Sequence, residues 1–242
     1  MGVLDRFRLD GKRAFVTGGS RGLGREMALG LAEAGADVVL VGRETASLEA
    51  TAADIRQRGR AAFPIQADVG LPAEAERACR EALLRHGPID ILINNVGGRR
   101  VDVPTQEMPL DTWLSLVDLN LTSTFVCTKL LGGAMVARGT GGRVINVASI
   151  SGMIANRGIG GRSYETAKAA VIGFTRATAA DWAPHRVTVN AIAPGGFMTA
   201  PNQRWQALNP AIIETFKGQV PMGEFGEPAD LAPLAVYLAS DA

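Results

Sequence analysis

A chain of 242 residues with 47% hydrophobic and 20% charged residues is long enough to bury a sizeable core and too apolar to be largely disordered; one α/β domain is expected at this length. The 25 Lys plus Arg against 24 Asp plus Glu leave a net charge of +1, without the broad basic field that nucleic-acid binding uses. No apolar run approaches the roughly 18 residues of a membrane span, and the charged opening "MGVLDRFRLDGKR" holds no signal-peptide apolar segment, so a cytoplasmic protein without membrane attachment is expected.

In chain order, the β-branched run "RAFV" (13–16) predicts a first strand and is followed by "TGGSRGLGREMA". There Gly18, Gly22 and Gly24 form GxxxGxG ahead of a helix-patterned stretch, "GREMALGLAEAG" (24–35). Glycines let such a turn take positive φ and approach a pyrophosphate, while the helix N-terminus offers free N–H groups and a positive dipole end. A second strand, "DVVLV" (37–41), ends in "VGRE". A carboxylate at that strand end holds a ribose 2′-OH and repels a 2′-phosphate; Arg43, after Gly42, pairs with the phosphate instead and points to NADP(H). Arg21 is positioned to add a second positive contact, whereas Glu44 leaves NAD open.

A third strand, "AAFPI" (61–65), precedes the helical "PAEAERACREALLRHG" (72–87), which ends on glycine. Strands follow at "DILI" (90–93), "RVINV" (143–147) and "RVTVNAI" (186–192). Six short strands alternating with helical stretches predict a parallel sheet covered on both faces, with no repeat or linker to divide it. Between the last two strands, "SYETAKAA" (163–170) places Tyr164 and Lys168 on one helix face. Alone, that spacing describes an aromatic residue beside a surface charge. Cys79 and Cys127 lie far apart in sequence without a CxxC, and with only His86 and His185 as histidines no disulfide framework or metal site is suggested.

Taken together, TGxxxGxG at 17–24, "NNVG" at 94–97, Asn120 in "DLNLTSTF", Ser149 in "INVASISG", YxxxK at 164–168 and "PGGFMT" at 194–199 resemble the short-chain dehydrogenase/reductase family over almost the whole chain. The resemblance implies a Rossmann-type doubly wound parallel sheet with helices on both faces, in one domain over 1–242 with a substrate lid at about 196–222. It implies an NADP(H)-dependent oxidoreductase moving a hydride between nicotinamide and a secondary alcohol or ketone. Tyr164 would be the general acid/base. A free phenol titrates at about pH 10, so the Lys168 ammonium one turn away would stabilise the phenolate and also bond the nicotinamide ribose. Ser149 would hold the substrate oxygen. Ser151 is the rival; Ser149 is preferred because Gly152 follows three positions later, although Ser149 then lies two residues farther from Tyr164 than is usual, read as an insertion in "MIANRGIGGRS". Asn120 would organise a water linking Lys168 to solvent.

By the same resemblance, Gly18, Ser20, Arg21, Gly22, Leu23 and Gly24 would bind the cofactor, joined by Arg43, by Asp68 and Val69 near the adenine, by Asn95 and Gly97, by Tyr164 and Lys168 themselves, and by Pro194, Gly195 and Thr199 on the nicotinamide side. "NNVG" carries Val96 where NNAG is usual. Arg99, Arg100, Arg157 and Arg162 lie near the expected mouth, and with "PMGEFGEPADL" the chain is similar to the gluconate 5-dehydrogenase and polyol-oxidising branch and to 3-oxoacyl-carrier-protein reductases. A hydroxylated or carboxylated small-molecule substrate paired with one arginine is therefore expected. The chain stops at "YLASDA", where the family continues into a last strand, so that strand is expected to be missing. A homo-oligomer, tetramer or dimer, would pack the Tyr164 helix against its symmetry mate. Two other classes are alternatives: a non-catalytic dinucleotide-binding sensor or scaffold, which loss of Tyr164 or Lys168 would favour, and a nucleotide hydrolase, which needs GK[ST] where this chain reads "GLGRE".

Overall fold

The computed structural model of the chain describes residues 2–98, 101, 103–155 and 162–242, with backbone alone at Ile212. The strands are β1 (Arg13–Thr17), β2 (Asp37–Gly42), β3 (Ala62–Gln66), β4 (Ile91–Asn94), β5 (Gly142–Val147) and β6 (Val187–Ile192), each within one residue of its predicted start and one of its predicted end. All pair in parallel, in the order β3-β2-β1-β4-β5-β6. Chain order therefore reverses between β1 and β4, and the crevice beyond their carboxyl ends is where such sheets bind ligands.

The helices are α1 (Gly22–Glu33), α2 (Thr45–Gln57), α3 (Pro72–His86), α4 (Leu110–Arg138), α5 (Arg162–Trp182), α6 (Ala200–Leu208), α7 (Pro210–Lys217) and α8 (Ala232–Ala239). Pro72 starts α3, where its missing N–H costs nothing, and Gly87 stops it at φ +78°. Successive strand residues feed opposite cores. Ala14, Val16, Val38 and Leu40 pack with α1 and α8, whereas Phe15, Val39 and Val41 pack with α3 and α4. Burial on both faces is why these strands read as unbroken apolar runs, and each large side chain so buried contributes about 1.5–3 kcal/mol.

The expectation about apolar runs needs a correction. Leu110–Arg138 forms one 29-residue helical run that is long and apolar enough to cross a bilayer by length and composition. It was missed because Asp111, Asp118, Asn120 and Lys129 interrupt the apolar sequence without breaking the helix. Its inward residues Leu116, Cys127, Leu131 and Met135 are buried, and it packs against α3, β4 and β5 as a layer of this core. The two cysteines, distant in sequence, share that core as free thiols. Interaction with Cys127, together with burial, pushes the Cys79 thiol well above its ordinary range and makes it a packing group.

Candidate active site

The turn after β1 is locked to the loop after β4. Thr17 Oγ1 accepts the N–H groups of Asn95 at 2.8 Å and Val96 at 3.1 Å, and Asn95 Nδ2 donates to the Thr17 carbonyl at 3.0 Å. Sequence reasoning missed this role of Thr17; its place just before the first glycine was the available signal. Gly18 has φ +67°, and a Cβ on Gly24 would strike the Gly18 carbonyl and come within 2.5 Å of Asn95 Nδ2. Glycine is thus required where α1 meets the turn. Arg21 caps α1 in extended conformation with no side-chain cap bond, so the positive end of the helix faces the crevice. Thr199 reaches the same turn, its Cγ2 lying 3.7 Å from a Cβ built on Gly22. Ser20, Gly22 and Leu23 are half-buried in this cradle, and Arg21 is exposed. The cradle has the backbone and dipole chemistry that a dinucleotide pyrophosphate requires.

At the adjacent ends of β2 and β3, Arg43 is 61% exposed with its guanidinium 3.9 Å from the Asp68 carboxylate. Gln66 Nε2 donates to the Arg43 carbonyl at 3.1 Å, and Asp68 Oδ1 accepts the Gly70 N–H at 3.0 Å. The Glu44 carboxylate accepts from the Ser47 hydroxyl at 2.7 Å, at the start of α2. Val69 is buried in the core beside this edge.

Tyr164 and Lys168 share the first turns of α5 as the spacing predicts, with Tyr164 half-buried and the ammonium 5.8 Å from its ring centre. Lys168 is only 2% exposed, and its Nζ donates to the Val147 carbonyl at the end of β5 at 2.7 Å. Burial lowers its pKa from 10.5 to about 8. A Cβ on Gly97 would lie 2.7 Å from Lys168 Nζ and 2.9 Å from Asn120 Oδ1, so both groups crowd one side of Gly97 and would have to shift to admit a larger residue. Asn120 is fully buried in a π-turn, Asp118–Thr122, a helix distortion common at functional sites. Its Oδ1 accepts from the Gly98 N–H at 2.8 Å, and its Nδ2 donates to the carbonyls of Gly98 at 3.1 Å and Leu116 at 2.9 Å. The side chain therefore ties the loop after β4 to α4.

Ser149, 7% exposed, lies in extended backbone and accepts the Ser151 N–H at 3.1 Å. Ser151 is 4% exposed. Gly152 abuts the α5 backbone, where a Cβ would be 2.7 Å from the carbonyl carbon of Lys168. The half-buried Pro194 accepts the Ile150 N–H through its carbonyl at 3.1 Å, which brings the Pro194–Gly195 loop to the serine segment. Beneath the site runs a buried amide ladder missed in the sequence: Asn94 Nδ2 donates to Asn146 Oδ1 and Asn146 Nδ2 to Thr175 Oγ1, each at 2.9 Å. Its signal was an asparagine within each of the apolar strands "ILIN" and "RVINV".

Arg99, Arg100, Arg157 and part of the insertion before Tyr164 lie outside the described residues. Arg162, at the start of α5, is exposed. The chain from Gly196 to Gly226 is pinned at its base by an isolated bridge between Phe197 and Gly226 and carries α6 and α7. Among the described residues, no group of three or more His, Cys, Asp or Glu is arranged to hold a metal.

A family model described as short chain dehydrogenase matches residues 12–209. Galactitol 2-dehydrogenase (L-tagatose-forming) of Cereibacter sphaeroides is 39% identical over 236 residues, covering 98% of this chain and 91% of that protein. The 3-oxoacyl-[acyl-carrier-protein] reductase of Synechocystis is 38% identical over 229 residues, covering 94% and 89%. Among solved structures, a gluconate 5-dehydrogenase from Burkholderia cenocepacia in complex with NADP and tartrate matches with TM-score 0.90 and 36% identity, over 99% of this chain and 92% of that one.

Proposed function

From the premise that the chain belongs to the short-chain dehydrogenase family, and is thus an NAD(P)-dependent oxidoreductase, we propose that it interconverts a secondary alcohol and a ketone with NADP(H), through Tyr164, Lys168, Ser149 and Asn120. The observation that carries the assignment is the buried Lys168 ammonium held against Val147 and over the Tyr164 ring. When bound, the cofactor supplies hydride to the carbonyl carbon in reduction and accepts it in oxidation. Gly18, Gly24 and the N-terminus of α1 would hold its pyrophosphate, Arg43 and Arg21 its 2′-phosphate, Asp68 and Val69 the adenine side, and Asn95, Gly97, Pro194, Gly195 and Thr199 the nicotinamide side. The NADP in the Burkholderia relative supports this choice, as does Arg43 at the end of β2.

In the reductive direction the Tyr164 hydroxyl gives its proton to the substrate oxygen as the carbon gains hydride; in oxidation the phenolate takes that proton back. Lys168 retains its proton at neutral pH, because even its lowered pKa of about 8 lies above 7, and its charge favours the phenolate. Asn120 holds the loop at Gly97 and Gly98 in place and, in this reading, orders a water beside Lys168 that returns protons to solvent. The segment 196–222, with α6 and α7, acts as the substrate lid. The substrate is a polyol, a sugar acid or a 3-oxoacyl compound, classes represented among the relatives.

Two measurements test this reading. A panel of polyols, sugar acids, neutral ketones and β-ketoacyl thioesters, followed by absorbance of reduced nicotinamide with each cofactor, should give turnover on one of the three expected classes with NADP(H) favoured; activity on neutral ketones alone, or a preference for NAD(H), would reject it. Ser149→Ala should lower kcat by about 10²–10³-fold, the usual loss for one oxyanion donor, while Ser151→Ala retains most activity. The opposite pattern transfers the role to Ser151.

Self-association belongs to the same reading. Leu121, Thr122, Phe125, Ala170 and Phe174 line an apolar hollow on the outer surface of α4 and α5, with Phe125 47% exposed. A second copy packing there would carry the Tyr164 helix to its symmetry mate. Sedimentation velocity should report a dimer or tetramer that Phe125→Glu dissociates; a monomeric wild-type protein overturns this assignment.

A further inference from the structure

The pairing of Arg43 with Asp68 has a consequence for cofactor choice. Register aligns Gly42 of β2 with Gln66 of β3, so Arg43 and Asp68 emerge side by side from adjacent strand ends. Gln66 anchors the arginine backbone, and the guanidinium is left to lean on the carboxylate at 3.9 Å. The neighbouring acids are engaged elsewhere: Glu44 accepts from Ser47, and Glu74 accepts the Asp68 N–H at 2.7 Å. A 2′-phosphate arriving at Arg43 therefore meets a cation already partly neutralised, and must displace or share its partner.

Resting on the cofactor assignment above, we propose that Asp68 is a specificity-determining residue that competes with the 2′-phosphate for Arg43 and so moderates the preference for NADP over NAD. NAD presents a ribose hydroxyl at that point and gains nothing when the carboxylate is removed. The pair is largely exposed, so its strength is that of a surface ion pair, and the expected effect is modest.

The test is isothermal titration calorimetry of the full chain with NADP and with NAD, for the wild type, Asp68→Asn, Arg43→Ala and the double variant. Asparagine keeps an acceptor for the Gly70 N–H, so the turn after β3 is preserved. Asp68→Asn should raise the ratio of NADP to NAD affinity by about threefold, within the range of exposed ion pairs, and the gain should vanish in the Arg43→Ala background. Any loss of adenine contact or local folding affects both cofactors and cancels in the ratio. An unchanged or lowered ratio overturns the proposal, as does a gain that persists without Arg43, which would mean that the carboxylate repels the phosphate directly. If Arg43→Ala alone leaves the ratio unaltered, the assignment of Arg43 to the 2′-phosphate falls with it.

Discussion

Tyr164→Phe is expected to lower kcat by about 10³-fold with a much smaller loss of NADP affinity, because the hydroxyl that carries the exchangeable proton is removed while the ring stays; general acid/base groups contribute about 10²–10⁴-fold. Phenylalanine preserves the ring under the Lys168 ammonium, 5.8 Å from it, so the fold of the α5 N-terminus should survive. Steady-state rates combined with calorimetric titration of the cofactor separate the two quantities. Retained turnover would show that proton transfer runs through another group, and a large loss of cofactor affinity would show that the hydroxyl acts in binding.

Lys168→Met should also abolish turnover, by about 10³-fold, yet raise the stability of the cofactor-free protein at neutral pH. Burial lowers the folded pKa of Lys168 from 10.5 to about 8, which corresponds to a cost of roughly 3 kcal/mol for holding the ammonium inside. Losing the charge-assisted hydrogen bond to the Val147 carbonyl gives back about 1.5–3 kcal/mol, so the variant should gain at most about 1.5 kcal/mol, a Tm rise of up to roughly 5 °C. The sign with pH follows from proton linkage. Between pH 8 and 10.5 the unfolded chain binds this proton more tightly than the folded one, so wild-type stability from this group rises with pH across that window. Below about pH 8 both states are protonated and the full cost is present. The advantage of the methionine variant should therefore be largest at pH 7 and shrink by pH 9.5, as measured by thermal unfolding of both proteins at each pH. A variant less stable than wild type at pH 7, or a difference that ignores pH, would mean that the ammonium is not held at an energetic cost.

Such a cost is consistent with the role proposed for Lys168. A buried cation beside a phenol supplies charge where water would otherwise screen it, and the fold accepts the loss of solvation in return for that field. The surrounding groups share the task of positioning. Gly97 leaves room for Nζ, Asn120 fastens the neighbouring loop, and Gly152 lets the serine segment lie against the backbone of α5.

The six strands were legible because a parallel sheet buried on both faces demands unbroken apolar runs, and "DVVLV" and "RVINV" supply them between glycine-terminated helices. The pairing of Tyr164 with Lys168 was equally legible, since an i,i+4 relation is fixed by helix geometry alone. The glycine turn announced itself by local backbone requirements. Contacts between segments distant in sequence were different in kind. The capture of Lys168 by Val147, the commitment of the Asn120 amide to Gly98 and Leu116, the Asn94–Asn146–Thr175 ladder and the neighbourhood of Cys79 and Cys127 all depend on which elements lie side by side.

Local chemistry in the sequence thus determined the six strands, the glycine turn and the shared helix face of Tyr164 and Lys168, because each rests on residues within a turn or two of one another. Only the tertiary structure decided that the lysine is buried and its pKa lowered, and that Arg43 meets Asp68 across adjacent strands. Desolvation and ion pairing are set by distance through space, and the order of strands in the sheet, not spacing along the chain, establishes those distances.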